Sequence, residues 1–172
     1  QAEGDNAMWK ERAVSLISSL MPALTWKRDN QDTPLSVSSI RSFLDLNNVI
    51  KLSRDDALPA HMRESIEGYL NTLPGFVAGA FDDNGKEKPM GPDQPMIDTT
   101  TVRQQHGYLT MQFTRSLQSL GDDYGYIFDT QAADVDMVDV VLNRRILIVL
   151  IPALEKSSDE TANLGKIVAA TI

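Results

Sequence analysis

Apolar residues recur at helical spacing along most of this chain. Trp9, Ala13, Leu16, Ile17, Leu20, Met21 and Leu24 fall three or four residues apart, which predicts one long amphipathic helix over about residues 6–28. Asp5 or Asn6 stands where its cap belongs, and Pro22 lies inside it, where the missing N–H predicts a kink. Residues 29–34 are a polar break. Ser36 then caps a short helix with Val37, Ile40, Phe43 and Leu44 on its inner face, and Val49, Ile50 and Leu52 mark a second short one. Met62, Ile66, Tyr69, Leu70 and Leu73 place another helix from Ala60, stopped by Pro74 and Gly75.

Residues 82–97 break the pattern again. Pro89, Pro92 and Pro95, two glycines and several charges leave almost nothing to bury, so the segment reads as a loop, either mobile or used for contact. Asp98 opens a second long helix with a stripe through Val102, His106, Leu109, Phe113, Leu117 and Leu120. A turn rich in aspartate and aromatics follows over residues 122–129, and Asp134 begins a short helix through Val138 and Val141.

The end of the chain has a different character. Arg144 and Arg145 lead into Ile146-Leu147-Ile148-Val149-Leu150-Ile151, apolar at every position, as a strand reads when both faces are covered in a parallel sheet. After Pro152, the string Ser157-Ser158-Asp159-Glu160 is a capping box for a helix with Leu164, Ile167, Val168 and Ile172 on one face. No other segment reads clearly as a strand, and a lone buried strand has nowhere to place its backbone hydrogen bonds. The expected fold is therefore mainly α: a helical bundle with a C-terminal strand-helix remnant of a larger α/β protein. A first residue of Gln1, with no signal-peptide pattern after it, fits a piece of a longer chain.

Charge narrows the function classes. The net charge is −8, and residues 66–140 account for it, with four basic and twelve acidic groups against eight and nine in residues 1–65. A sequence-independent DNA binder shows a basic footprint, and the domain as a whole has none. There are no cysteines, which excludes disulfide scaffolds, thiolate metal sites and cysteine nucleophiles. His61 and His106 are far apart in sequence, against a histidine-based metal site. The longest apolar run is too short to span a bilayer, so no membrane contact is expected.

The motifs are weak for catalysis. Gly165-Lys166 resembles the end of a phosphate loop, but Glu160 stands where its first glycine belongs and Ile167 where its hydroxyl residue belongs. It reads as helix interior. The aspartates of residues 122–139 lack the spacing and terminal glutamate of a calcium loop and read as a solvated turn. His106 sits on an apolar stripe, where a packed histidine that positions Tyr108 and its neighbours is the reading. Glu155, Lys156 and Ser157 follow the carboxyl end of the apolar run, where open α/β sheets place ligands. They read either as a polar turn into the capping box or as a contact near the nucleotide or a neighbouring subunit in the full protein, which ATP turnover of that protein would test.

Four strings together resemble one family. They are Gly4-Asp5-Asn6 with Trp9, Arg12 and Ala13; Leu73-Pro74-Gly75; Gln105-His106-Gly107-Tyr108 with residues 111–114; and residues 151–157 with Asn163-Leu164-Gly165-Lys166. In this order they are similar to the coupling proteins of type IV secretion, in the branch of the Dot/Icm systems and the IncI-type conjugative plasmids. The resemblance covers nearly the whole chain, with residues 82–97 its poorest part. It implies an all-helical domain, residues 1–143, inserted between the Walker A and Walker B elements of a hexameric RecA-like ATPase anchored in the bacterial inner membrane. Residues 144–172 are then the return strand and helix of the nucleotide-binding domain. ATP and magnesium belong to the parent protein, and this piece is expected to hold no cofactor and no catalytic residues. The implied role, on the cytoplasmic face, is to receive relaxase-bound DNA or secreted protein effectors and to meet other secretion-system subunits. The alternatives are a structural insert that organises the hexamer, or direct binding of single-stranded DNA. For that last reading, Trp26 beside Lys27 and Arg28 is the local candidate, against a Trp26 packed among neighbouring helices.

Overall fold

In the computed structural model, which describes residues 2–89, 97–128, 133–151 and 157–170, the first helix is longer than its apolar stripe. α1 runs Ala2–Gln31 and carries Pro22 in its interior. Pro22 is exposed, so the hydrogen bond it cannot make falls on the water-facing side. Asp5 and Asn6 lie within the helix and do not cap it, because Ala2 and Glu3 before them are themselves good helix formers.

The next elements follow the predicted order. α2, Val37–Phe43, is capped by Ser36, whose side chain accepts from the Ser39 amide at 3.2 Å while Ser39 Oγ accepts from the Ser36 amide at 2.8 Å. α3, Leu46–Ser53, is capped by Asp45, and α4, Ala60–Asn71, gives way at Thr72 just before Pro74. α5, Thr100–Gln118, passes into a π-helical turn, Ser119–Asp123, and then α6, Gly125–Phe128. α4 packs against both α1 and α3, and α5 against α1. Leu16, Leu20, Val49, Ile50, Ile66, Val102 and Leu109 fill the core they share, each with no solvent exposure.

The segment read as a loop with almost nothing to bury is, in its first part, a strap tied to the bundle and anchored by the residue just before it. Phe81 is fully buried and bridges to Glu87, and the Asp82 amide donates to the Lys86 carbonyl at 2.7 Å. Arg54 reaches across from the end of α3 and donates to the carbonyls of Ala78, Phe81 and Asp82 at 2.7, 2.9 and 2.6 Å. Glu87 accepts from Thr99 at 2.5 Å and from Arg103 at 2.7 Å, so the strap is fastened to α5 as well. Residues 90–96 of the expected loop lie outside the described residues.

The chain divides into two compact units, residues 1–131 and 132–172. In the second, α7, Met137–Leu142, is capped by Asp136, two residues beyond the expected Asp134. α8 is Ser158–Ala170, and its capping box forms: the Ser157 amide donates to Glu160 at 2.9 Å and the Glu160 amide to Ser157 Oγ at 3.3 Å. Gly165 and Lys166 are helix interior. The expected strand over residues 146–151 does not form, and no strand is present among the described residues. The physical reason is that no second strand among the described residues offers backbone partners. Ile146, Ile148 and Leu150 are 90, 78 and 90% exposed, whereas Leu147 and Ile151 between and beyond them are half-buried. Val149, on the same side as Leu147 and Ile151, is 44% exposed, so one face of this segment is partly covered and the other is bare.

Candidate functional site

Of the residues singled out near the end of α1, Lys27 lines a cleft of about 470 Å³ formed with α2, α3 and the start of the strap. Its lining includes Lys27, Phe43, Asn48, Lys51, Arg54 and Asp55. Trp26 is half-buried against the core and does not stand free as a stacking surface. Lys27 donates to Asp55 at 2.6 Å in a partly buried pair, and this bond, against some desolvation, holds the Asp55 carboxyl below its ordinary pKa. Arg28 is paired with its neighbour Asp29 at 2.8 Å. The basic patch read from sequence is thus answered by carboxylates that lie beside it in space.

His106 sits at a second junction, 4% exposed. Its Nε2 lies 2.7 Å from the Leu44 carbonyl, which can only accept, so Nε2 carries the proton and Nδ1 accepts from the Tyr69 hydroxyl at 2.7 Å. The ring therefore ties α4 and the end of α2 to α5. It positions Tyr69 and not Tyr108, which is 53% exposed, because Tyr108, two residues on, lies about 200° round the helix from His106 and points off the stripe. Burial pushes the His106 pKa below its ordinary 6.5, against the Leu44 hydrogen bond and the Asp45 charge, which favour the proton. Between that lowered value and 6.5 the unfolded chain binds more protons than the folded one. Stability is accordingly full above the unfolded value and declines as pH falls through it towards the folded value. Melting by circular dichroism should show Tm falling between about pH 7.5 and pH 5.5, before carboxylates titrate near pH 4. His106→Gln should flatten that slope whatever its own Tm; an unchanged slope rules the assignment out.

A third arrangement joins two distant stretches of sequence. The Trp9 and Tyr108 rings meet edge-on with centroids 6.1 Å apart, and the Arg12 guanidinium lies 5.7 Å from the Trp9 centroid. Such pairs add about 0.5–1.5 kcal/mol beyond the area they bury. Met111, one turn along α5 from Tyr108, is 67% exposed. Among the described residues no group of three or more histidine, cysteine, aspartate or glutamate side chains could hold a metal ion.

No family model matches the chain. It is, however, 40% identical over 181 aligned positions, 98% of its length, to the type 4 coupling protein DotL of Legionella pneumophila. The chain is a homologue of part of a type 4 coupling protein. It spans 21% of that relative's length. The resemblance to type IV coupling proteins read from four short strings is therefore shown, and the structure brings two of those strings into contact and the second of the four against the start of α5. Trp9 of the first, which carries Arg12 over its ring, meets Tyr108 of the third. Gly75 of the second, at φ +79°, lies so close to α5 that a Cβ there would be 3.1 Å from Thr101.

The fourth string divides between the described and the undescribed. Ser157 is the cap of α8, whereas Glu155 and Lys156 lie outside the described residues. Sequence reasoning missed Phe43, Asn48 and Lys51 as companions of Lys27. The pattern held a signal for two of them: Asn48 and Lys51 are three apart on α3 and alternate with the buried Val49, Ile50 and Leu52, so they mark that helix's outer edge.

Proposed function

We propose that this chain is the cytoplasmic, all-helical cargo-recognition part of a type IV coupling protein, inserted in a RecA-like ATPase domain whose nucleotide-binding motifs lie elsewhere in the parent. The observation that carries the reading is the 40% identity to a type 4 coupling protein across 98% of the chain. The cargo it receives is relaxase or secreted effector protein, delivered for ATP-driven transfer by a hexamer anchored in the inner membrane, alongside other secretion-system subunits. ATP and magnesium belong to that parent, and the piece itself is not an enzyme.

Two observations favour protein over DNA as the direct contact. The net charge is −8, and the basic residues nearest Trp26 are already paired with carboxylates. In the second unit, six consecutive apolar residues with one bare face suit a strand completed by a sheet in the rest of the parent. No helix among the described residues is long and apolar enough to cross a membrane, which suits a part held away from the bilayer.

Fluorescence anisotropy tests the reading, with labelled single-stranded oligonucleotide and labelled relaxase or effector titrated separately at two salt concentrations. The expected result is saturable binding of protein cargo and none of the oligonucleotide. Oligonucleotide binding that weakens with salt would transfer the role to direct DNA recognition. Binding of neither, by a chain shown folded, would leave the structural-insert reading, which predicts loss of hexamer assembly when the domain is deleted.

A further inference from the structure

The cleft beside Lys27 is a mixed one, and its charges can be accounted for one by one. Asp55 is held by Lys27 at 2.6 Å, Asp56 by Arg63 at 2.8 Å, and Asp83 lies 3.7 Å from Arg54. Arg54 is further engaged by three backbone carbonyls of the strap. Lys51 is different. It lines the same cleft, is exposed, and has no ion pair among the described residues, although its charge is felt by Asp55. The cleft thus presents one cation that its own carboxylates leave over.

Beside Lys51 the wall is apolar. Leu52 is buried and Phe43, at the end of α2, is half-buried with part of its ring left to the cleft. Asn48 and Ser42 stand at the rim, with the Asn48 amide donating to the Ser42 carbonyl at 2.7 Å. A volume of about 470 Å³ suits a ligand of a few side chains. The cleft is nevertheless open to solvent, and sites for free small molecules bury roughly 70–90% of the ligand surface. An open cleft of this size suits side chains presented by a larger partner. A run of phosphates is disfavoured, because the one cation left over among three lining aspartates can answer a single carboxylate but not a row of charges.

We infer that this cleft docks a short peptide segment of a partner protein in which a carboxylate side chain adjoins a bulky apolar one. The apolar group lies on Phe43 and Leu52, and the carboxylate meets Lys51. Lys27 stands next to the same position, so an incoming carboxylate can share it with Asp55. The inference rests on the cargo-recognition reading and supplies the chemistry that one of its surfaces selects.

The test is chemical-shift mapping on the isotopically labelled chain with three probes: the blocked tetrapeptide Gly-Phe-Glu-Gly, its Gly-Phe-Gln-Gly counterpart, and phenylacetate. Binding of the glutamate peptide should shift resonances within residues 42–56 and at Lys27. The glutamine peptide should bind about threefold more weakly, the size expected of one exposed ion pair. Lys51→Glu should abolish that preference, and Lys51→Gln should reduce it, with melting unchanged in both. Shifts elsewhere or none, equal binding of the two peptides, or a preference that survives Lys51→Glu would overturn the inference. So would phenylacetate binding as tightly as the peptide, which would make the cleft a small-molecule site. Relaxase or effector binding that persists in Lys51→Glu, with no peptide preference in the parent chain, would sink this inference and leave the cargo reading standing.

Discussion

Replacing Phe81 with alanine is expected to destabilise the first unit by about 3–5 kcal/mol, the range for deleting a buried phenylalanine. Phe81 has no solvent exposure, stacks on Phe76 with centroids 6.0 Å apart, and lies 5.9 Å beneath the Arg103 guanidinium. Its ring is what gives residues 78–88 a reason to lie on the bundle. Without it the Arg54 bonds to the Ala78, Phe81 and Asp82 carbonyls must hold the strap alone, and hydrogen bonds exchanged with water contribute only about 1 kcal/mol each. Chemical denaturation followed by circular dichroism reads the effect as a lower midpoint. A loss below about 1 kcal/mol would mean that the strap is not part of the cooperative unit.

Gly85→Ala is expected to cost about 2–4 kcal/mol, a large loss for adding one methyl group. Gly85 turns the strap at φ +73°, a conformation L side chains rarely adopt, and a Cβ there would stand 2.0 Å from the Asn47 carbonyl oxygen. Neither group can yield cheaply, because Asn47 is in the first turn of α3 and the turn is closed by the Gly85 amide donating to Asp82 at 2.9 Å. Gly68→Ala is the comparison. Gly68 lies in α4 with nothing within 4 Å of its added Cβ, so alanine should stabilise by about 0.5–1 kcal/mol through helix propensity. Thermal melts of the two variants should move in opposite directions. Equal shifts would remove the steric argument.

The two variants also mark where sequence reading ended. Residues 82–97 contain prolines, glycines and charges, and no apolar period, so nothing local distinguishes a free loop from one tied down by distant groups. The tie comes from Arg54 and Arg103, 24 or more residues away for Arg54 and 16 for Arg103, which spacing rules do not see. Lys27 fails as a free cation for the same reason, its partner Asp55 lying 28 residues on. The apolar run at residues 146–151 is a different case. Its composition reads as a strand covered on both faces, but strands form between segments, and among the described residues none pairs with it.

What the sequence determined by itself was whatever depends on neighbours three or four residues away. The helices of α1 to α5, the Ser36 and Ser157 caps, the stop before Pro74 and the burial of His106 follow from periodicity and local hydrogen bonding. So does the kinship, since the four strings that point to type IV coupling proteins are read in order along the chain. Only the tertiary structure decided which charges are left over, that Trp9 meets Tyr108, that His106 holds Tyr69, and that a cleft opens beside Lys51. Those are contacts across the bundle, set by how helices pack and by what each side chain finds on the facing element.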